Sequence, residues 1–489
     1  MLQKLLSNYV NRCKDLSQNV ESVIFRTFCT FFAAFFVHFV QKWFKNAAFC
    51  DKIILGDENM YRKIEEELKK WYQNESLPLM LIGARQTGKT YILNKFCKQY
   101  YPNCIYINLE KSTEISSIFD KTLDPQNIIK NIEIIMETEF NVENTIIFFD
   151  EIQACEKAIT SLKYFAESNI PYKIVCAGSL LGVKINREFV SFPVGKVIIK
   201  YLYPLDFEEF LINLGEKKLI EEIKSHYQSN EPLIDAVHNK ALELYKTYMI
   251  LGGMPKIIED YINNKSISPS LLEYQDMIIS SYLADMNKYT INTESIKNNK
   301  IYLSIPKELA RENNTFKYSI VNEQARKIRY ENSIDWLVAS NMVLKCNLTE
   351  KNESPLKAYE NTDKFKLYLS DIGLLRALSN ISPSEILLEK NKMFSGVLSE
   401  NYVATELMPK TKELFYYTFA NYEIDFLINI NGDIIPIEVK AGRRNTSKSL
   451  NEYINKYKPS FAIRISTKNF GFENNIKSVP LYAVFCIKL

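Results

Sequence analysis

The octapeptide Gly83-Ala84-Arg85-Gln86-Thr87-Gly88-Lys89-Thr90 reads GxxxxGKT, and few folds can present it. Glycine at both ends leaves the backbone free to curl with its amide N–H groups turned inward, a concavity suited to anions. The flanks supply the setting such a loop needs. Before it, Pro78-Leu79-Met80-Leu81-Ile82 is a short apolar run of buried-strand type; after it, Ile92, Leu93, Phe96, Cys97 and Tyr100 recur at helical spacing. Strand, loop and helix in that order bring the positive end of a helix against the anion. The octapeptide therefore reads as a phosphate-binding loop, with residues Gly83 to Gly88 wrapping a polyphosphate. Lys89 reaches the β- and γ-phosphates and Thr90 offers its hydroxyl to Mg2+. ATP and Mg2+ are the cofactors this predicts.

Hydrolysis needs more than a phosphate loop, namely an acidic site on a neighbouring strand. Thr145-Ile146-Ile147-Phe148-Phe149 has the unbroken apolar character of a central parallel strand and ends in Asp150-Glu151. Asp150 is the expected Mg2+ partner, and Glu151 the expected base for the attacking water. Taken alone, such a pair is more often a helix N-terminus; downstream of a phosphate loop the catalytic reading prevails. A third run, Tyr172 to Ala177, ends in Gly178-Ser179, where Ser179 is a candidate γ-phosphate sensor or simply the start of a turn.

The C-terminal part carries a second candidate site. Glu423-Ile424-Asp425-Phe426-Leu427-Ile428, a Gly432 turn and Ile434 to Lys440 predict two strands joined as a hairpin. Alternation along Ile437-Glu438-Val439-Lys440 puts Glu438 and Lys440 on one face. Asp425 and Glu438 could then share a Mg2+ while Lys440 steadies a phosphodiester, the D...ExK arrangement of restriction-endonuclease-like folds. Gly442-Arg443-Arg444 and Lys448 follow as candidate contacts to a nucleic-acid backbone. ExK also occurs in ordinary solvated strands.

Between the two sites, Tyr203 to Tyr227 opens at Pro204-Leu205-Asp206 and reads as a helical lid. From Ile305-Pro306, a short helix over Lys307 to Asn313, a second over Glu323 to Ser340, and strands Met342 to Leu348 and Phe365 to Leu369 follow in winged-helix order. Arg326, Lys327 and Arg329 on the second helix suit DNA phosphates, although a basic helix face is commonly just solvated.

Composition narrows the classes further. A chain of 489 residues exceeds one core and predicts two to four domains. A net charge of +3 gives no global sign of nucleic-acid binding, so DNA contact needs a local patch, and a protein partner stays open. Nine scattered cysteines without a CxxC pair point to reduced thiols in a cytoplasmic protein. The three histidines, His38, His226 and His238, lack metal-ligand spacing. Residues 23–40 are apolar, but the uncharged stretch from Thr27 to Gln41 is short against the roughly twenty residues of a span, so a buried or interfacial helix is expected.

In these motifs and their order the chain resembles the bacterial and archaeal AAA-type ATPases related to the STAND class, with a C-terminal DUF4143-type domain of restriction-endonuclease-like core. The resemblance rests on GARQTGKT, FFDEIQ at Phe148 to Gln153, AGS at Ala177 to Ser179, SFPVGKV at Ser191 to Val197 and YPLDFEEFL at Tyr203 to Leu211. It continues with LGGMP at Leu251 to Pro255, SDIGLL at Ser370 to Leu375 and IEVK at Ile437 to Lys440. It implies that Gly253-Met254-Pro255 is a GxP element with Pro255 against the adenine, a plain turn being the alternative. It also implies an arginine-type γ-phosphate sensor, for which Arg187 and Lys196 are the available cations. Glu400, on a helix from Gly396 to Leu407, matches the acidic position that precedes the D...ExK strands. The expected fold is α/β: a P-loop NTPase parallel sheet with a helical lid, a winged-helix segment and a C-terminal restriction-endonuclease-like α/β domain. The expected divisions are 1–59 (an extension with the apolar helix), 60–203, 204–300, 301–375 and 376–489.

Overall fold

The structure, a computed structural model, describes residues 60–179, 192–289, 292–311, 314–321, 327–390, 392–441 and 448–489. Segment 23–40, Arg187, Arg326, Gly442-Arg443-Arg444 and the side chain of Arg329 lie outside what is described. Among the described residues no helix is long and apolar enough to cross a membrane.

Five strands form the first sheet: β1 (Leu79–Ile82), β2 (Asn103–Asn108), β3 (Thr145–Asp150), β4 (Lys173–Gly178) and β5 (Ile198–Tyr201), in the order β2-β3-β4-β1-β5. Every pairing is parallel. Alternation explains why β1 and β3 are continuous apolar runs. Met80, Ile82, Ile147 and Phe149 enter a core with Phe119, Ile128 and Leu162 on one face, while Leu79, Leu81, Ile146 and Phe148 join Leu68, Trp71, Leu93 and Phe96 on the other. Helices cover both faces, and every position of β1 and β3 is buried. The strand bearing Asp150 is not hydrogen-bonded to the strand preceding the loop, as a neighbouring strand would be. β4 is interposed between them.

After β5 the chain turns helical at the expected place. Asp206 caps the helix Phe207–Asn213 by accepting the Glu209 amide at 2.8 Å, and the Glu209 carboxylate accepts the Asp206 amide at 3.1 Å. This reciprocal capping box is the meaning of the LDFE tetrapeptide. Helices Lys217–Ser229, Asp235–Leu251, Pro255–Asn264 and Pro269–Tyr289 follow. The next helix, Asn292–Leu309, contains Pro306 within its last turns. A helix beginning after that proline was expected; the proline instead lies inside this helix, where it leaves the Tyr302 carbonyl without an i→i−4 partner.

The second sheet has eight strands, ordered β12-β13-β11-β10-β9-β8-β6-β7. Its members are β6 (Val343–Thr349), β7 (Glu360–Leu369), β8 (Leu414–Phe419), β9 (Tyr422–Ile430), β10 (Asp433–Lys440), β11 (Ala462–Ser466), β12 (Gly471–Glu473) and β13 (Ile476–Pro480). Asn431 and Gly432, both at positive φ, close a two-residue hairpin between β9 and β10. The β6–β7 ribbon, read from sequence as a wing, is hydrogen-bonded into this sheet, with β6 parallel to β8 from Cys346–Leu414 to Thr349–Tyr417. Strands on both sides of residue 375 thus share one sheet. Tyr61–Leu489 form one compact unit.

Candidate nucleotide site and C-terminal carboxylate cluster

The loop between β1 and the helix Lys89–Tyr100 has Gly88 at φ +92°, in the left-handed region, and any Cβ on Gly83 would lie 2.2 Å from the Leu202 carbonyl oxygen. Both glycines are therefore demanded by the backbone. Lys89 is buried and folds back on the loop, donating to the carbonyls of Gly83 at 2.9 Å and Ala84 at 2.7 Å. Burial pushes its ammonium down to about 8, against the pull of the Glu151 and Asp150 carboxylates. A polyphosphate in the loop would give that ammonium a stronger partner than two neutral carbonyls.

Opposite, the Thr90 hydroxyl lies 3.2 and 3.1 Å from the two carboxylate oxygens of Asp150. Hydroxyl and carboxylate facing each other at the end of β3 make a hard-oxygen pair that fits Mg2+. The Tyr106 hydroxyl on β2 also donates to Asp150, at 2.8 Å. Glu151 sits at φ 50°, ψ 41°, an uncommon conformation for a side chain of this size, and its carboxylate accepts from the Gln153 side-chain amide. Ser179, at the end of β4 beside Ile82 of β1, is buried, with a hydroxyl that has no hydrogen-bond partner among the described residues. Such an orphan suits a ligand oxygen.

Sequence reasoning missed the groups that brace the loop. Arg62 is buried and donates to the Thr87 carbonyl at 2.9 Å, the Tyr203 carbonyl at 2.6 Å and the Glu209 carboxylate at 3.2 Å. At the apex, Arg85 pairs with the buried Asp285 at 2.6 Å, and Tyr282 donates to the Arg85 carbonyl at 2.9 Å. Both partners belong to the helix Pro269–Tyr289. An arginine inside a phosphate loop is the one local hint of this contact. Of the expected lid and sensor residues, the Pro255 ring lies 3.5 Å from where a Gly88 Cβ would stand, which puts it beside the loop. Lys196 pairs with Glu167 at 3.2 Å on a half-exposed surface.

In the second sheet, Asp425 on β9, Glu438 and Lys440 on β10 and Glu400 on the helix Lys392–Thr411 are close enough to shift one another's charge. Each is already engaged. The Asp425 carboxylate accepts the Val439 amide at 2.7 Å, and Glu438 takes Lys440 and the Ser449 hydroxyl, each at 2.7 Å. Burial, aided by the Glu400 charge, pushes Asp425 up to about 8. Lys366 of β7, absent from the sequence reading, lies in the middle: its ammonium is 3.0 Å from Glu400 and 2.7 Å from Glu423. Burial alone would lower that ammonium, but the Glu400, Glu423 and Asp425 carboxylates outweigh it and hold it well above the usual lysine range. Among the described residues no group of three or more His, Cys, Asp or Glu side chains is placed to hold a metal ion. On the neighbouring helix Lys327–Ala339, Lys327 is paired with Asp363 and Glu331.

Family models match three stretches of the chain. Residues 75–211 match the AAA domain family, residues 242–385 a domain of unknown function, DUF8612, and residues 395–484 a second, DUF4143. No curated protein matches the chain. Similar solved structures include the Walker-type ATPase of Pyrococcus abyssi, at 16% identity and a TM-score of 0.41, covering 65% of this chain and 96% of that one. The ORC2 protein of Aeropyrum pernix follows at 14% identity and 0.32, covering 68% and 96%. AMPPCP-bound DnaA from Aquifex aeolicus gives 16% identity and 0.27, covering 56% and 83%. With its phosphate loop, parallel sheet and acidic strand end, the chain carries an AAA-type P-loop ATPase domain and a C-terminal DUF4143 domain.

Proposed function

We propose that this ATPase is Mg2+-dependent and passes its nucleotide state to the C-terminal sheet through the helix Pro269–Tyr289, with residues 60–203 as catalytic core and 204–300 as lid. One observation carries the coupling. The helix that holds Arg85 and its carbonyl at the loop apex also carries Gln275, whose side-chain amide donates to the Ile250 and Leu251 carbonyls at 2.9 Å and whose oxygen accepts from Arg376. A change at the apex thus reaches residues 370–376 through one rigid element.

In this reading Lys89 leaves the Gly83 and Ala84 carbonyls for the β- and γ-phosphates, and Ser179 bonds a γ-phosphate oxygen. Thr90 and Asp150 would hold Mg2+, which would neutralise phosphate charge. Glu151, released from Gln153, takes a proton from water as the water oxygen attacks the γ-phosphorus and the bridging P–O bond to ADP breaks. Pro255 packs against the adenine. Lys89→Ala or Glu151→Gln should lower Mg2+-dependent hydrolysis by about 10²–10⁴-fold; activity near wild type in both would refute the assignment.

The C-terminal body is taken to face DNA, the reading suggested by its D...ExK pattern and by Lys448 near the basic segment after β10. DNA-stimulated ATP hydrolysis that fades with salt is the expected signature. A second reading, a nucleotide switch acting on a protein partner, is favoured by the internal pairing of Lys327 and Lys366. Hydrolysis indifferent to DNA at every salt concentration would select it.

A further inference from the structure

We propose that Lys366 is the resident cation of the C-terminal carboxylate cluster, so that Glu400, Glu423, Asp425 and Glu438 form an ion-paired core fastening the sheet edge rather than a metal-dependent nuclease centre. The geometry of one oxygen makes the point. Glu400 Oε1 accepts from Lys366 Nζ at 3.0 Å, the Tyr368 hydroxyl at 2.6 Å and Asn314 Nδ2 at 2.9 Å. Three donors already crowd the two lone-pair sites of that oxygen, so Glu400 is committed through it to Lys366, Tyr368 and Asn314. Lys366 in turn is wholly enclosed: its side chain is 0% exposed and its ammonium lies 5.0 Å from the centre of the Tyr416 ring.

The arrangement also has a structural reason. β7 is an edge strand, paired with β6 alone, with one further backbone bond from the Phe316 amide to the Phe365 carbonyl at 2.8 Å. Lys366 reaches from it across the sheet face, over Tyr416 of β8, to Glu423 of β9 and to Glu400 of the covering helix. One buried ammonium therefore joins the edge, the sheet interior and the helix. A divalent cation would have to displace that buried ammonium from the two carboxylates it already neutralises. Glu438 Oε2 is buried without a partner among the described residues, but Lys440 and Ser449 hold its other oxygen, and a single open oxygen does not make a metal site. The inference stands independently of whether the P-loop hydrolyses ATP.

Titration of nucleotide-free full-length protein with Mn2+, followed by electron paramagnetic resonance, tests it. Glu438→Gln and Asp425→Asn should bind as much Mn2+ as wild type. One fewer bound ion per chain in either variant overturns the proposal, as does Mg2+-dependent cleavage of plasmid DNA that is lost in Asp425→Asn. Thermal unfolding supplies an arm that a merely surface lysine would not move. Lys366→Met should melt below wild type, and adding Glu400→Gln should recover part of that loss by removing a stranded buried charge. Melting of Lys366→Met at the wild-type temperature, or strictly additive losses in the double variant, would count against the resident-cation role.

Discussion

The Asp371 carboxylate accepts the Gly253 amide at 2.6 Å and, through its other oxygen, the Leu374 amide at 2.9 Å. Two of the sequence motifs, LGGMP and SDIGLL, are thus halves of one contact, and both lie in the stretch matched by DUF8612. The third participant is YPLDFEEFL, since the Leu205 amide donates to the Gly253 carbonyl at 2.7 Å. A Cβ on Gly252 would lie 2.3 Å from Asp371 Oδ1, one on Gly253 2.1 Å from the Leu205 oxygen, and one on Gly373 2.4 Å from the Leu251 oxygen. Asp371→Ala strands two buried amides and removes a helix cap, so a loss of about 2–4 kcal/mol is expected in urea unfolding. Gly253→Ala, which collides with backbone, should be worse. A loss below about 0.5 kcal/mol for Asp371→Ala, the size of an ordinary surface change, would contradict this picture.

Arg62 and Glu209 form a buried pair, with side-chain exposures of 5% and 6%, and the same guanidinium holds the Thr87 carbonyl in the loop. Arg62→Ala leaves Glu209 enclosed without its guanidinium partner and should cost about 3–5 kcal/mol. Arg62→Ala with Glu209→Gln should regain part of this stability. ATP binding, measured by calorimetry, should stay weakened in the double variant, because the Thr87 carbonyl is still unbraced. Full recovery of affinity would show that Arg62 acts only through stability.

Burial pushes Glu406 up to about 7 and Asp371 up to about 6, in the first case with help from the Asp206 charge. In both, the folded state binds its proton more tightly than the unfolded chain does. The sign follows: the protein is favoured below the unfolded values near pH 4, and stability falls as pH rises through about 6 to 7. Glu406 alone should account for a change on the order of 3 kcal/mol between pH 4 and 8. Unfolding measured across that range should show the decline, and Glu406→Gln, which keeps an acceptor for the Phe207 amide, should flatten it. An unchanged slope in Glu406→Gln would assign the decline to other groups.

What could be read in advance was local. The phosphate loop declares itself because its glycines are required by backbone geometry within eight residues, and the β9–β10 hairpin because Asn431-Gly432 is a turn signal between alternating strands. Asp150 was legible for the same reason, at the end of a run whose two faces are both buried. The interposed β4 was not, because periodicity tells which face of a strand is apolar and never which edge it pairs. The merger of β6 and β7 with the C-terminal sheet escaped for that reason too. Arg62, Asp285 and Lys366 were invisible on other grounds: a charged side chain in sequence reads as solvated, and only partners 147, 200 and 34 positions away make burial tolerable.

The Arg85–Asp285 pair offers the sharpest trial of coupling. Asp285 is 3% exposed with one carboxylate oxygen unpartnered among the described residues, so it depends on Arg85 for compensation, while Arg85, at 28%, can still turn toward solvent or a ligand. A nucleotide polyphosphate at the loop competes with Asp285 for that guanidinium. Asp285→Asn should therefore bind ATP more tightly, by several-fold, since the arginine is no longer held by a full charge. The same variant should lose nucleotide-dependent protection of the helix Pro269–Tyr289 in hydrogen exchange, because the apex and the helix no longer share an ion pair. Arg85→Ala should abolish that protection change while weakening ATP. If Asp285→Asn leaves both affinity and exchange as in wild type, the helix is scaffold and the signal to residues 370–376 must run elsewhere.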